Sequence, residues 1–186
     1  HTISDYNFNN LNKFDGVFRH SQLLKLIDSA DPAIQNSTVR PYMFMNISPS
    51  TTEGANNFQL SFTSPFYKSG ASTAFILTST PFKLAYSNSI EHYFGDIQIA
   101  GSVNRQVIIY KIVSGENVTV INDAGILDPD KGTITLNNFT TYDTTDIRVT
   151  VTPDSLDLAP KRDQLIAIDA LRVNITPSVD TISVSG

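Results

Sequence analysis

Few side chains here could do chemistry. The 186-residue sequence holds three histidines, eighteen carboxylates and no cysteine. Without cysteine there is no disulfide, no thiolate nucleophile and no Cys-ligated zinc or iron–sulfur centre. The histidines are His1, His20 and His92. A zinc site draws three or four ligands from short spacings. Glu91, His92 and Asp96 come nearest to such a set, but they lack HExxH spacing and read as a surface or interface turn. Serines and aspartates are plentiful enough for a Ser–His–Asp arrangement, yet no serine sits in a GxSxG elbow. Neither GxGxxG nor GxxxxGK[ST] is present to cradle a phosphate.

The carboxylates group at Asp128, Asp130, Asp143, Asp154 and Asp157. The order Asp128, Asp130, Gly132 resembles the opening of a calcium loop, but the later ligands and the closing bidentate Glu are missing. These aspartates read as turn residues accepting from backbone amides. The expectation is a protein that is not an enzyme, with no catalytic residue, no cofactor and no metal.

Elements must position whatever remains. The apolar residues are chiefly Ile, Val, Leu and Phe, which favour strands. Residues 57–62 alternate Phe58, Leu60 and Phe62 against polar neighbours, a half-buried strand. Further strands are predicted at 38–47, 74–78, 82–86, 96–100, 147–151 and 181–184. Pro41 belongs at a strand start or on an edge. In 96–100, Ile97 and Ile99 share the apolar face. The run 106–113 reads as a central strand covered on both faces. Residues 114–117 turn it back into 118–121, forming a hairpin. In 125–136, Pro129 presets one corner of a turn and Gly132 permits positive φ at its end. Ile134 and Leu136 then face inward. Residues 164–175 form another apolar stretch. One helix is predicted over 21–29 with Ser21 as N-cap, stopped by Asp31 and Pro32. A second short turn is predicted at 32–35.

The resulting fold class is mainly β, a β-rich α+β chain of antiparallel sheets or a sandwich with one or two short helices. Residues 1–35 form a lead-in with the helix. Residues 36–186 form the β-rich domain, with two subdomains divided near 87–101. Phe8, Phe14, Phe18, Leu23, Leu26 and Ile27 are the expected interface residues, because aromatics among Asn and Asp suit docking on the chain's own domain or on a partner. Strand edges around 125–136 offer a template for another chain.

Charge narrows the partners. The net charge is −5, and the 13 Lys and Arg are scattered, which excludes the basic stripe that nucleic-acid binding needs. No apolar run approaches the ~20 residues of a membrane helix. Absence of cysteine leans towards assembly in a reducing cytoplasm. The first residue, His1, marks a fragment, a processed product or a tag remnant. N-x-[ST] sequons at Asn36, Asn46, Asn117, Asn138 and Asn174 read as unmodified products of an Asn-, Ser- and Thr-rich composition.

Three ordered stretches carry a resemblance. The first spans 14–45, with Phe14, Asp15, Gly16, Phe18, Arg19, His20, Leu23, Leu24, Leu26, Ile27, Pro32, Arg40 and Met43. The second spans 125–139, from Gly125 and Ile126 through Pro129, Lys131 and Gly132 to Phe139. The third runs from Asp146, Arg148 and Pro153 to Leu158, Pro160, Arg162 and Ile168. In that order they resemble the baseplate wedge proteins of T-even-type contractile-tail phages, relatives of the baseplate J-like proteins. The resemblance implies a carboxy-terminal portion of a structural virion subunit, assembled in the host cytoplasm and resident in the tail baseplate. It implies self-association and binding to other wedge proteins in a ring around the hub. Because homo-oligomers are usually closed and symmetric, a dimer with a twofold contact is the simplest expectation. It brings no catalytic residue. The rival reading is a glycan- or cell-surface-binding β-sandwich, suggested by the sequons and the Tyr-, Asn- and Asp-bearing turns.

Overall fold

The computed structural model describes residues 5–6, 18–30, 34–38, 41–51, 54–68, 74–155, 165–168 and 174–177. The chain is strand-rich with antiparallel sheets and one short helix among the described residues. It divides into two compact units. One comprises His1–Pro41, Leu156–Pro160 and Ile166–Gly186; the other comprises Tyr42–Ser155 and Lys161–Leu165. The division thus falls near Pro41 and in the 156–166 stretch. Residues 87–101, the expected dividing point, carry a long strand paired within the second unit.

In the first unit, helix α1 (His20–Asp28) buries Leu23 and Ile27, four residues apart on one face. Phe18 lies just before it, fully buried and edge-on to Tyr6 at 6.1 Å. The Tyr6 hydroxyl accepts from the Arg19 amide at 3.1 Å. These contacts dock Tyr6 and Phe18 of the lead-in on its own unit. The helix entry corrects the sequence reading. Arg19, in extended conformation, occupies the N-cap without a side-chain hydrogen bond, and Ser21 is already inside the helix. At the other end the Ser29 amide donates to Lys25 O and the Ser29 hydroxyl to Leu26 O, satisfying carbonyls the last turn leaves open. Strand β1 (Ile34–Thr38) begins inside the predicted 32–35 turn and pairs antiparallel with β12 (Asn174–Pro177).

The second unit holds two sheets. In the smaller, β2 (Pro41–Ile47), β10 (Ile147–Val151) and β4 (Leu77–Ser79) lie antiparallel with β10 in the middle. Pro41 opens β2, where its missing amide costs no ladder bond. The larger sheet runs in the order β3 (Asn56–Ser61), β9 (Thr133–Phe139), β8 (Glu116–Asp128), β7 (Arg105–Val113), β6 (Ser87–Gln98), β5 (Phe82–Leu84). Strand β11 (Leu165–Ile168) and β12 account for the described part of the predicted 164–175 stretch. The predicted 181–184 strand lies outside the described residues.

Buried Met43, Ile47, Leu77, Val149 and Val151 come from the smaller sheet, and Phe94, Ile109, Leu127, Ile134 and Leu136 from the larger. Phe82, Phe94 and Phe139 form an aromatic cluster with ring centroids 4.7 to 6.1 Å apart. The turn in 128–132 forms as its residues dictate. Asp128 Oδ1 accepts from the Asp130 and Lys131 amides, and Gly132 has φ +67°. The turn is clamped onto the 62–66 segment, because Phe62 N donates to Gly132 O and Phe66 N to Pro129 O.

Candidate functional site

The first candidate grows from β6. The strand turns His92, Phe94 and Asp96 inward, each 1% exposed or less, while Ile97 is 43% exposed. This corrects the expectation for 96–100: the apolar Ile97 side is the open one, and the aspartate faces the core. It also corrects the reading of 91–96 as a turn, since these residues lie in a strand.

Asp96 is tolerated there because its oxygens are met. Asp96 pairs with Val107 and Gln98 with Arg105, so Asp96 and Arg105 stand diagonally on one face of the β6–β7 hairpin. Arg105 Nε donates to Asp96 Oδ2. Asp96 Oδ1 accepts from the Ile76 and Leu77 amides, both at 2.8 Å. Arg105 Nη2 reaches Ala74 O at 3.1 Å. Burial pushes the Asp96 carboxyl up from the usual range, against the Leu77 amide and Arg105, which favour the charged form. The clasp ties the 74–77 segment, and with it β4, to the larger sheet. Ser79 Oγ, accepting from the Phe94 amide at 2.9 Å, adds a second tie.

His92 Nδ1 is buried without a hydrogen-bond partner among the described residues, and burial holds the imidazole below its ordinary pKa. His92 and Asp96 are not brought into a metal-binding group; among the described residues no three His, Asp or Glu gather in one. Several described aspartates beyond β6 serve local geometry, and Asp157 lies outside the described residues. Asp143 accepts from the Thr145 amide, Asp146 from the Ser48 hydroxyl at 2.5 Å, and Asp130 pairs with Lys68 at the surface. Thr145 holds the Asp143 carboxyl below its usual range, and the Lys131 amide does the same for Asp128. Pro81, Phe82, Lys83, Glu91, Asp143 and Thr145 line an open cleft of about 240 Å³, below the ~300 Å³ where small-molecule pockets begin.

The second candidate is the far end of the β7–β8 hairpin. Val107, Ile108 and Ile109 are buried, so β7 is covered on both faces only there. Ile112 and Val113 are 53% and 46% exposed, against the expectation that the whole run is covered. Ser114 and Gly115 make the turn, both with positive φ, as a two-residue hairpin loop requires. The returning strand continues as β8, longer than the predicted 118–121, and its register against β7 shifts between Val107 and Tyr110.

The expected interface residues divide. Phe18, Leu23 and Ile27 are buried in the first unit, Leu26 is 43% exposed, and Phe8 and Phe14 lie outside the described residues. Sequence reading missed the Asp96–Arg105 clasp. Its only trace was an aspartate inside an apolar alternation with an arginine across the following hairpin.

The described residues thus define a class by fold: a strand-built chain braced by an internal ion pair. Comparison with known proteins adds a role to that fold. The family described as baseplate structural protein gp6, C-terminal domain III, matches residues 1–46. The match covers α1, β1 and most of β2, and it supports a phage baseplate structural protein located in the virion tail baseplate. No curated protein matches the chain.

Proposed function

We propose that the chain is a carboxy-terminal part of a baseplate wedge subunit with a structural rather than catalytic role. Copies associate with one another and join neighbouring wedges in a contractile tail. The observation that carries this reading is the family match over residues 1–46. It falls on the stretch that holds all of the expected interface residues. Two further stretches, 125–139 and 146–168, support the wedge assignment by resemblance and order. Within the matched segment Leu26 offers an apolar contact at the surface, whereas Phe18, Leu23 and Ile27 are buried.

Assembly in solution tests the reading. The chain is mixed with the other wedge subunits of its own phage and run on size exclusion. Co-elution in a complex larger than any component is expected. Separate elution of every component at high micromolar concentration contradicts it.

A further inference from the structure

Among the described residues, the β7–β8 hairpin leaves one backbone edge open. Strand β8 is Glu116–Asp128, but its pairing with β9 covers only Gly125 to Asp128. From Glu116 to Asn122 the side of β8 away from β7 has no strand beside it among the described residues. Residues 116–119 and 122 are exposed on the surface. Val113 pairs with Glu116 and Lys111 with Val118. A two-residue turn closes on a hydrogen-bonded pair, and such pairs alternate along the ladder. The amides and carbonyls of Asn117 and Thr119 therefore point outward from the hairpin. The stretch 116–122 carries Val118, Thr119, Val120 and Ile121 and holds neither Lys nor Pro. Proteins commonly use Lys and Pro to blunt such an edge.

We propose that this edge of β8 pairs antiparallel with the same edge of a second copy of the chain, joining the two larger sheets across a twofold axis at Val118. The inference rests on the self-association reading above and names its surface. The sequence is self-complementary in this register. Asn117 falls opposite Thr119 of the second copy, so the outward backbone groups meet in hydrogen-bonded pairs. Val118, 41% exposed, falls opposite its own copy in the closer, non-hydrogen-bonded pairing. Glu116 falls opposite Val120, so no like charges face each other. The two Lys111 side chains stay on the flanking strands, with both β8 strands between them. A closed twofold contact also uses each open edge once and leaves none to propagate.

The absence of cysteine makes the geometry directly testable. Paired Val118 positions stand at a Cα separation of about 4.5 Å, within disulfide reach. Val118→Cys under mild oxidation is expected to give a covalent dimer faster than the exposed control Ile97→Cys. Sedimentation velocity across a concentration series reads the unmodified chain against Thr119→Pro and Val118→Lys. Thr119→Pro removes an outward amide without touching the β7 ladder. Val118→Lys sets two charges against each other and keeps every backbone group. Circular dichroism selects the variants that stay folded, and each is expected to weaken dimerisation by at least about tenfold. A dimer that survives both changes, with no preferential cross-linking through Val118→Cys, overturns the β8 edge and leaves self-association standing. A chain that sediments as a monomer at every concentration overturns both.

Discussion

Asp96 on β6 and Arg105 on β7 form an ion pair on the core side of the hairpin, and the same carboxylate caps the amides of Ile76 and Leu77. The Asp96 side chain is fully buried, and that of Arg105 is 12% exposed. Removing one partner strands the other in a poorly solvated place. Asp96→Ala is expected to cost about 3 to 5 kcal/mol, the range for breaking a buried pair. Urea unfolding followed by circular dichroism measures it. Arg105→Met is expected to cost less, because the two amides keep their acceptor. Equal costs within error contradict the capping role.

Gly125 has φ +139°, and a Cβ there would lie 1.8 Å from Thr135 O on the paired strand. Backbone cannot yield that distance cheaply. Gly125→Ala is expected to cost more than about 3 kcal/mol, or to give no folded protein. The control is Gly101→Ala, where φ is also positive but nothing lies within 4 Å. That change is expected to cost only about 1 to 2 kcal/mol. Thermal unfolding of the two variants side by side gives the comparison.

Much of this was legible in the sequence. Pro129 and Gly132 specify their turn, because φ restrictions act locally. The turn expected over 114–117 narrows to Ser114 and Gly115, with Glu116 and Asn117 already in β8. The 57–62 alternation gives β3 because side chains alternate between the faces of a strand. Which face of a strand is inward is a different matter. Alternation separates Asp96 from Ile97 but does not say that a distant arginine and two amides make the Asp96 face habitable. The apolar run through Ile112 and Val113 likewise reads as buried, because residue type cannot tell a strand inside a sheet from one projecting past its neighbours. The N-cap is another such case: Ser21 is suitable by type, whereas the chain enters the helix two residues earlier, where Phe18 packs edge-on to Tyr6.

His92 gives a pH prediction. Burial and the nearby Lys111 lower its folded pKa below the ordinary value of 6.5. A lowered histidine pKa means that the unfolded chain binds the proton more readily. Its contribution to stability is therefore present above pH 6.5 and is lost as pH falls through 6.5 towards the folded value. Melting temperature is expected to fall between pH 7.5 and 5.5 in the unmodified chain. The fall is expected to be smaller in His92→Gln. Parallel slopes in the two proteins contradict the assignment.

Leu23 and Leu26 occupy the same helix with opposite exposures, 0% and 43%. Leu23→Ala is expected to cost about 2 to 5 kcal/mol as a core truncation. Leu26→Asp is expected to change stability by less than about 0.5 kcal/mol. If Leu26 contacts a wedge partner, the same change lowers co-elution on size exclusion. Full co-elution by folded Leu26→Asp removes that residue from the interface.

The proposed place of this chain in the tail baseplate can be seen in the virion itself. Gold-labelled antibodies raised against residues 1–186 and applied to purified tails locate the chain under negative stain. Label concentrated at the baseplate end of intact tails is the predicted result. Tails unlabelled at the baseplate, with the chain found only in the unassembled soluble fraction, contradict it.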